Sequence, residues 1–247
     1  MSAQAITVEN LTVVFGNFVA LRNLSFTASY GSVHGVIGPN GAGKTTFLDV
    51  LTGKSRPREG RVLLDGTRDL GTMNEVDRAL AGIGRKFQKP SVFEALSVWQ
   101  NLDLALRLHR RSLVREILAD AGDKTEKLES ILETIGLAEH RHRQAGTLSH
   151  GQKQWLEIAM VLVQEPKVLL LDEPVAGMSD DETDHTSQLL QTLRGPDRSI
   201  IVVEHDMDFV EEVADKVTVL HEGSTLFVGS MQEARNDPRV IDVYIGR

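Results

Sequence analysis

One stretch, Gly38-Pro39-Asn40-Gly41-Ala42-Gly43-Lys44-Thr45, constrains this chain more than any other. Before it runs Ser32-Val33-His34-Gly35-Val36-Ile37, an apolar, strand-like segment, and after it Thr46 to Leu51 reads as a helix. The stretch fits G-x-x-x-x-G-K-[ST] at every fixed position, in the strand–loop–helix context that gives the pattern meaning. Its glycines let the backbone bend so that the N–H groups face inward as an anion nest. The helix that follows adds the positive end of its dipole. Lys44 can then reach the outer phosphates of a bound nucleotide, and Thr45 can bind Mg²⁺ through its hydroxyl.

The rest of the composition narrows the setting. A chain of 247 residues suits one large domain, or a compact domain with an insertion. With 41% hydrophobic residues it can build a core, and its net charge of −8 argues against a nucleic-acid partner. The densest basic stretch, Arg107-Leu108-His109-Arg110-Arg111 continuing to Arg115, reads as a solvated helix face. The absence of cysteine excludes disulfides and thiolate metal sites. Met1-Ser2-Ala3-Gln4 lacks a secretion pattern, and no apolar run approaches the ~20 residues that span a bilayer. The expected chain is soluble and cytoplasmic, reaching a membrane only through a partner.

Ile6–Phe15 and Leu21–Ala28 carry the patterns of antiparallel strands, Arg61–Gly66 reads as a short strand ending in a turn, and Ile83–Gln88 as another strand. From about Ser97 to Val163 the period becomes helical, with Val98, Leu102 and Leu106 on one stripe and Leu128, Ile131, Leu132, Ile135 and Leu137 on a second. Gly122-Asp123 is the expected break between them. Strand–helix alternation then resumes. Val168–Leu171 and Ile200–Val203 read as buried strands, Asp180–Arg194 as a helix, and Val217–Leu220 with Thr225–Val228 as a hairpin-like pair. The pattern is an α/β core interrupted by a helical insertion.

A phosphate loop needs an acid on a neighbouring strand. Val168-Leu169-Leu170-Leu171-Asp172-Glu173 places Asp172 at the carboxyl end of a buried strand, where open parallel sheets bind ligands. Asp172 would hold Mg²⁺ through its water shell, and Glu173 can orient or polarise the attacking water. His205 follows the apolar strand that ends in Glu204, where a sensor of the terminal phosphate would lie. Gln88 ends its strand at the entrance to the insertion, and its amide could bind Mg²⁺ or the attacking water. Leu148-Ser149-His150-Gly151-Gln152 precedes a helix read as Lys153–Val163. Ser149 there is both an N-cap and a candidate anion contact.

These residues together resemble the ATP-binding cassette ATPases, over essentially the whole chain. Gly38–Thr45 matches that family's Walker A motif, Val168–Glu173 its Walker B motif, Gln88 the Q-loop, His205 the switch histidine, and Leu148–Gln152 the signature. The resemblance implies a P-loop NTPase (RecA-like) α/β core with an antiparallel β subdomain and an inserted α-helical subdomain. The whole of 1–247 is then one nucleotide-binding domain, with 1–90 and 164–247 as the ATP-binding core and about 91–163 as the helical part. Its cofactors are ATP and Mg²⁺. Glu173, His205 and Gln88 take the catalytic roles, and Thr45, Gln88 and Asp172 face the metal. Gly38, Pro39, Asn40, Gly41, Ala42, Gly43, Lys44, Thr45 and Thr46 hold the nucleotide, and Ser149, Gly151 and Gln152 contact it from the signature. Phe15 is placed to stack on adenine, against a competing reading as a core phenylalanine.

The chain departs from the family twice. His150 stands where the signature usually has Gly, and Ser179 where many members have Asp. The resemblance further implies a head-to-tail pair of cassettes, each ATP lying between one chain's Walker A and the other's signature. Within the family, the short C-terminus Val243-Tyr244-Ile245-Gly246-Arg247 resembles the ATPases of branched-chain amino acid, amide and urea importers. Lys86–Glu94, Leu148–Glu157 and Glu173–Met178 resemble the urea-importer ATPase more narrowly. The implied partners are a second, homologous ATPase chain in a heterodimer, two integral membrane permeases and, indirectly, a solute-binding protein. The expected function is to energise import of urea or short-chain amides from the inner face of the membrane, with a branched-chain amino acid importer as the alternative. A soluble ATPase of this type outside transport, and a P-loop kinase, are the readings from other classes.

Overall fold

The computed structural model describes residues 3–86, 92–109 and 121–245. Two antiparallel strands open the chain, β1 (Gln4–Phe15) and β2 (Phe18–Ser29). β3 (Val33–Ile37) runs into the glycine-rich turn, and α1 (Lys44–Thr52) leaves it. Then come β4 (Glu59–Leu64), β5 (Arg68–Asp69), α2 (Glu75–Ala81) and β6 (Ile83–Lys86). A run of helices follows: α3 (Val98–His109), α4 (Ala121–Thr134) and α5 (His150–Leu162). The chain returns through β7 (Val168–Asp172), α6 (Asp180–Thr192), β8 (Ser199–Val203) and α7 (Met207–Val213). It closes with β9 (Lys216–His221), β10 (Ser224–Gly229), α8 (Met231–Asn236) and α9 (Pro238–Ile245).

The strands form a four-stranded sheet of order β2-β1-β4-β5 and a six-stranded sheet of order β10-β9-β3-β8-β7-β6. In the first sheet β1 pairs antiparallel with β2 and β4. In the second, β3 pairs parallel with β8 and β9, β7 pairs parallel with β8, and β9–β10 is the antiparallel hairpin. The register sets Asp172 beside Val203 and Leu170 beside Ile201. Continuous apolar runs such as Val168–Leu171 and Ile200–Val203 are what strands covered on both faces require. Every residue of β3, β7 and β8 is buried. Each such Leu, Ile or Val contributes about 1.5–3 kcal/mol of burial.

The chain divides into two compact units, Met1–Arg85 with Lys167–Glu173 and Leu193–Arg247, and Lys86–Pro166 with Pro174–Thr192. The first holds both cores of the sheets. Phe47, Leu48 and Leu51 of α1 join Leu170, Ile201 and Val203 in one apolar cluster, where Phe26 and Phe47 meet edge to face at 4.9 Å. Ile37, Val210, Val217, Val219, Met231 and Val240 make a second cluster.

The second unit is helical. Val98, Leu102 and Leu106 are buried as the period of α3 predicts, and so are Leu128, Leu132, Ile135 and Leu137, while Ile131 is half-buried. Gly122 and Asp123 lie within α4 and are not the expected break. Glycine weakens a helix by roughly 1 kcal/mol relative to alanine, and the buried Leu128 and Leu132 offset that cost. Buried Asn101 donates to the Phe93 and Ser97 carbonyls and accepts from the Phe93 N–H, fastening the segment before α3. The Trp155 indole donates to the Thr186 hydroxyl at 2.9 Å, and its ring lies 4.2 Å from that of His185. No helix among the described residues is long and apolar enough to cross a membrane. The basic positions Arg110, Arg111 and Arg115 fall outside the described residues.

Candidate functional site

The turn after β3 depends on two glycines. Gly38 has φ 151°, and a Cβ there would stand 2.2 Å from the Leu220 carbonyl oxygen. Gly43 has φ 102°, and a Cβ there would meet Leu21 Cδ2 at 2.6 Å and the Ala20 carbonyl at 2.9 Å. The backbone therefore reaches a position that no side chain could share. Gly43 caps α1 in the left-handed conformation, so the helix begins at Lys44, two residues before the expected Thr46.

Asn40, Gly41, Ala42, Gly43, Lys44, Thr45 and Thr46 line a cavity of about 250 Å³ with Phe18, Ala20, Asp172, Glu173 and Val203. Its size, and its place at the glycine-rich turn and the start of α1, suit a chain of phosphates. The Lys44 ammonium donates to the Gly38 carbonyl at 2.6 Å and the Pro39 carbonyl at 3.1 Å, bracing the loop that would bind the anion. Burial pushes the Lys44 ammonium below the usual lysine value, against the opposing pull of Glu173, Asp172 and Glu204. Thr45 is exposed toward the cavity, while Thr46 is half-buried.

β7 delivers the acids. Asp172 ends the strand with its side chain 5% exposed. Glu173 follows with φ 47°, and its N–H donates to the Val203 carbonyl at 2.8 Å. A left-handed glutamate is uncommon and turns the chain sharply at the cavity wall. His205 Nδ1 lies 4.0 Å from Glu173 Oε1 and 3.4 Å from an oxygen of the fully buried Glu204. The His205 N–H donates to the same Glu204 carboxylate, which fixes the turn carrying the imidazole. Loop, Asp172, Glu173 and His205 thus share one unit.

Thr45 and Asp172 supply a hydroxyl and a carboxylate, hard oxygen donors that suit Mg²⁺ better than a softer metal. Among the described residues no group of three or more His, Cys, Asp or Glu side chains could hold an ion alone. Gln88, the remaining expected metal ligand, lies outside the described residues.

Ser149, Gly151 and Gln152 lie together in the other unit, at the start of α5. The helix begins at His150, ahead of the expected Lys153. Ser149 and Gln152 form a capping box: the Ser149 hydroxyl accepts from the Gln152 N–H at 3.1 Å, and the Gln152 side chain accepts from the Ser149 N–H at 3.0 Å. The Ser149 hydroxyl also donates to Glu182 at 2.8 Å, and Ser179 N–H donates to the other oxygen of Glu182 at 3.2 Å. These bonds, the Ser149 hydroxyl above all, hold the Glu182 carboxyl below the usual range against some burial. A Cβ at Gly151 would stand 2.5 Å from the Glu182 carboxyl carbon, so a larger residue there would push that carboxylate away from Ser149 and Ser179. His150 Nε2 donates to the Ala176 carbonyl at 3.1 Å. Both departures from the family pattern, His150 and Ser179, therefore have local partners.

Phe15 is 52% exposed, which overturns its reading as a core residue. It faces Phe18 in register across the β1–β2 turn, and Phe18, 65% exposed, borders the cavity. Sequence reasoning missed Phe18, although an aromatic on either side of Gly16-Asn17 was its signal. It also missed Arg85, whose guanidinium reaches Asp172, because nothing in Ile83–Lys86 marks one cation as buried.

Residues 21–176 match the ABC transporter family. The chain is 35% identical, over all of its length and 99% of the relative, to the high-affinity branched-chain amino acid transport ATP-binding protein LivG of Salmonella typhimurium. It is 33% identical over the same shares to the corresponding protein BraF of Pseudomonas aeruginosa. Among solved structures, the ADP conformation of MJ1267, an ATP-binding cassette of an ABC transporter, superimposes with a TM-score of 0.89 at 29% identity, covering 100% of both chains. The structure of cbiO1 from Clostridium perfringens, part of the ABC transporter complex cbiONQ, does so with a TM-score of 0.84 at 28% identity, covering 100% of this chain and 97% of the other.

Proposed function

Since the chain belongs to the ABC transporter family, whose ATPases couple ATP hydrolysis to transport, we propose that it energises a solute importer, and specifically one for branched-chain amino acids. The observation that carries the reading is likeness along the entire chain to ATPases named for that transport, joined to a cavity in which phosphate loop, Asp172 and Glu173 meet. The expected urea specificity has less support than its alternative. It stands as a second reading, favoured by the segments Lys86–Glu94, Leu148–Glu157 and Glu173–Met178.

In this reading the loop N–H groups and Lys44 hold the β- and γ-phosphates. Thr45, Asp172 and Gln88 would hold Mg²⁺, which would offset charge building on the transferred phosphoryl oxygens. Glu173 orients the attacking water and accepts its proton, and His205, near that carboxylate, senses the terminal phosphate. An exposed aromatic, Phe15 or its cross-strand neighbour Phe18, supports the adenine ring. Ser149, Gly151 and Gln152 contact the ATP of a second, homologous chain. Each pair of chains docks on two permeases at the inner face of the membrane through the residues after Gln88, and a solute-binding protein delivers the cargo.

The test is uptake. The tagged chain is captured from its own cells with the membrane subunits that accompany it, and the complex is placed in vesicles with internal ATP and the same cells' solute-binding proteins outside. Labelled leucine should enter with wild-type protein and not with Lys44→Ala. Entry of urea in place of leucine would transfer the account to the second reading. An intact complex moving neither solute would end the import proposal for both.

A further inference from the structure

Arg85 projects from β6 as a buried guanidinium, its side chain 4% exposed. Its fork is divided between two acids. Nη1 contacts Asp49 Oδ1 at 2.6 Å, and Nη2 contacts Asp172 Oδ2 at 2.7 Å. Asp49 sits on α1, the helix that leaves the phosphate loop, and has a second cation in Lys54 at 3.6 Å. Arg85 thus joins the carboxylate of the cavity wall to one on the helix behind it. Without Arg85, Oδ2 of Asp172 would lose its guanidinium at the wall of a cavity that Glu173 also lines. A carboxylate uncovered in this way attracts a divalent cation whether or not nucleotide is there.

We propose that Arg85 is a positioning residue for the metal step: by occupying Oδ2 of Asp172 and balancing its charge, it reserves that acid for Mg²⁺ arriving with nucleotide. Arginine suits the task because it stays charged at any working pH, and its planar fork fixes two carboxylates at once. The tie to Asp49 sets the rotamer of Asp172 against the helix bearing Thr45, the other metal-facing residue. The proposal rests on reading Asp172 as the metal-facing acid.

The experiment is Mn²⁺ titration of purified full-length protein followed by electron paramagnetic resonance, with and without ATP. Wild-type protein should bind Mn²⁺ weakly without nucleotide. Arg85→Gln should bind it about tenfold tighter under the same conditions, because an attractive cation has left a buried carboxylate. Arg85→Lys keeps the charge but loses the fork that holds both acids, and should fall between wild type and Arg85→Gln. The double variant Arg85→Gln with Asp172→Asn should lose the gain. If Arg85→Gln alone does not fold, the pair Arg85→Gln with Asp49→Asn removes the second stranded carboxylate and is read in the same way. Unchanged nucleotide-free affinity in a folded variant, or a gain that survives Asp172→Asn, would overturn the proposal. The underlying reading is checked separately by Asp172→Asn alone, which should weaken Mn²⁺ binding in the presence of ATP; if it does not, Asp172 is not the metal-facing acid.

Discussion

At the scale of single residues, the site is a few polar groups carried on backbone that needs glycine at Gly38 and Gly43. Lys44 is tied to the carbonyls of Gly38 and Pro39, so its ammonium braces the loop proposed to hold the phosphates. Lys44→Ala should therefore lower ATP affinity about 10–100-fold, the effect of one charge-assisted hydrogen bond. Equilibrium binding of a fluorescent ATP analogue measures it, and wild-type affinity would contradict the assignment. The aromatic pair calls for a comparison. Phe15 and Phe18 are both exposed and face each other across the turn, but Phe18 borders the cavity. Replacing the residue that stacks on the base should cost about 1–3 kcal/mol of affinity, alike for ATP and GTP, because stacking ignores the exocyclic groups. If Phe15→Ala keeps its affinity and Phe18→Ala loses it, the adenine contact moves to Phe18. Two unaffected variants would remove stacking from the account.

At the scale of elements, most of what positions the site was legible in the sequence. The runs Val168–Leu171 and Ile200–Val203 gave β7 and β8 within a residue, since a strand buried on both faces has little freedom in composition. Helix starts were less legible. The start of α1 at Lys44 and of α5 at His150 depends on the φ of Gly43 and on the Ser149–Gln152 capping box, which a residue pattern only suggests. Arg85 was illegible because its burial follows from two acids distant in sequence, Asp49 and Asp172. His34 shows the same limit. On β3 it is buried at 3% exposure, bonded to the Thr218 hydroxyl at 2.8 Å, and 4.4 Å from the Phe26 ring centre. Burial, aided by nearby Lys216, pulls the imidazole down to about 4. The unfolded chain then takes up this proton near pH 6.5, before the folded chain does. Stability attributable to His34 is complete above that value and is lost as pH falls from about 6.5 toward 4, by about 2 kcal/mol between pH 7 and pH 5. Denaturant unfolding of wild type and His34→Asn at both pH values checks the sign. The variant should lose less on acidification, and an equal loss in both would dissociate His34 from acid sensitivity.

At the scale of the whole molecule, the phosphate loop, Asp172, Glu173 and His205 belong to one compact unit, and Ser149, Gly151 and Gln152 to the other. In the proposed arrangement they are completed by a second chain. The isolated protein should then be a monomer or weak dimer of low activity, and ATP should promote association with a homologous partner chain. Light scattering with and without ATP, on each chain alone and on their mixture, tests this. A tight homodimer, independent of nucleotide and fully active, would defeat the heterodimer proposal. Within one chain, the cavity lined by Asn40–Thr46, Asp172 and Glu173 is proposed to hydrolyse ATP, with Glu173 serving the water. Parallel measurement of ATP binding and phosphate release in Glu173→Gln, within the captured complex, addresses it most directly. ATP should still bind with near wild-type affinity while phosphate release falls about 10²–10⁴-fold, the usual contribution of a general base; unchanged phosphate release would contradict the claim.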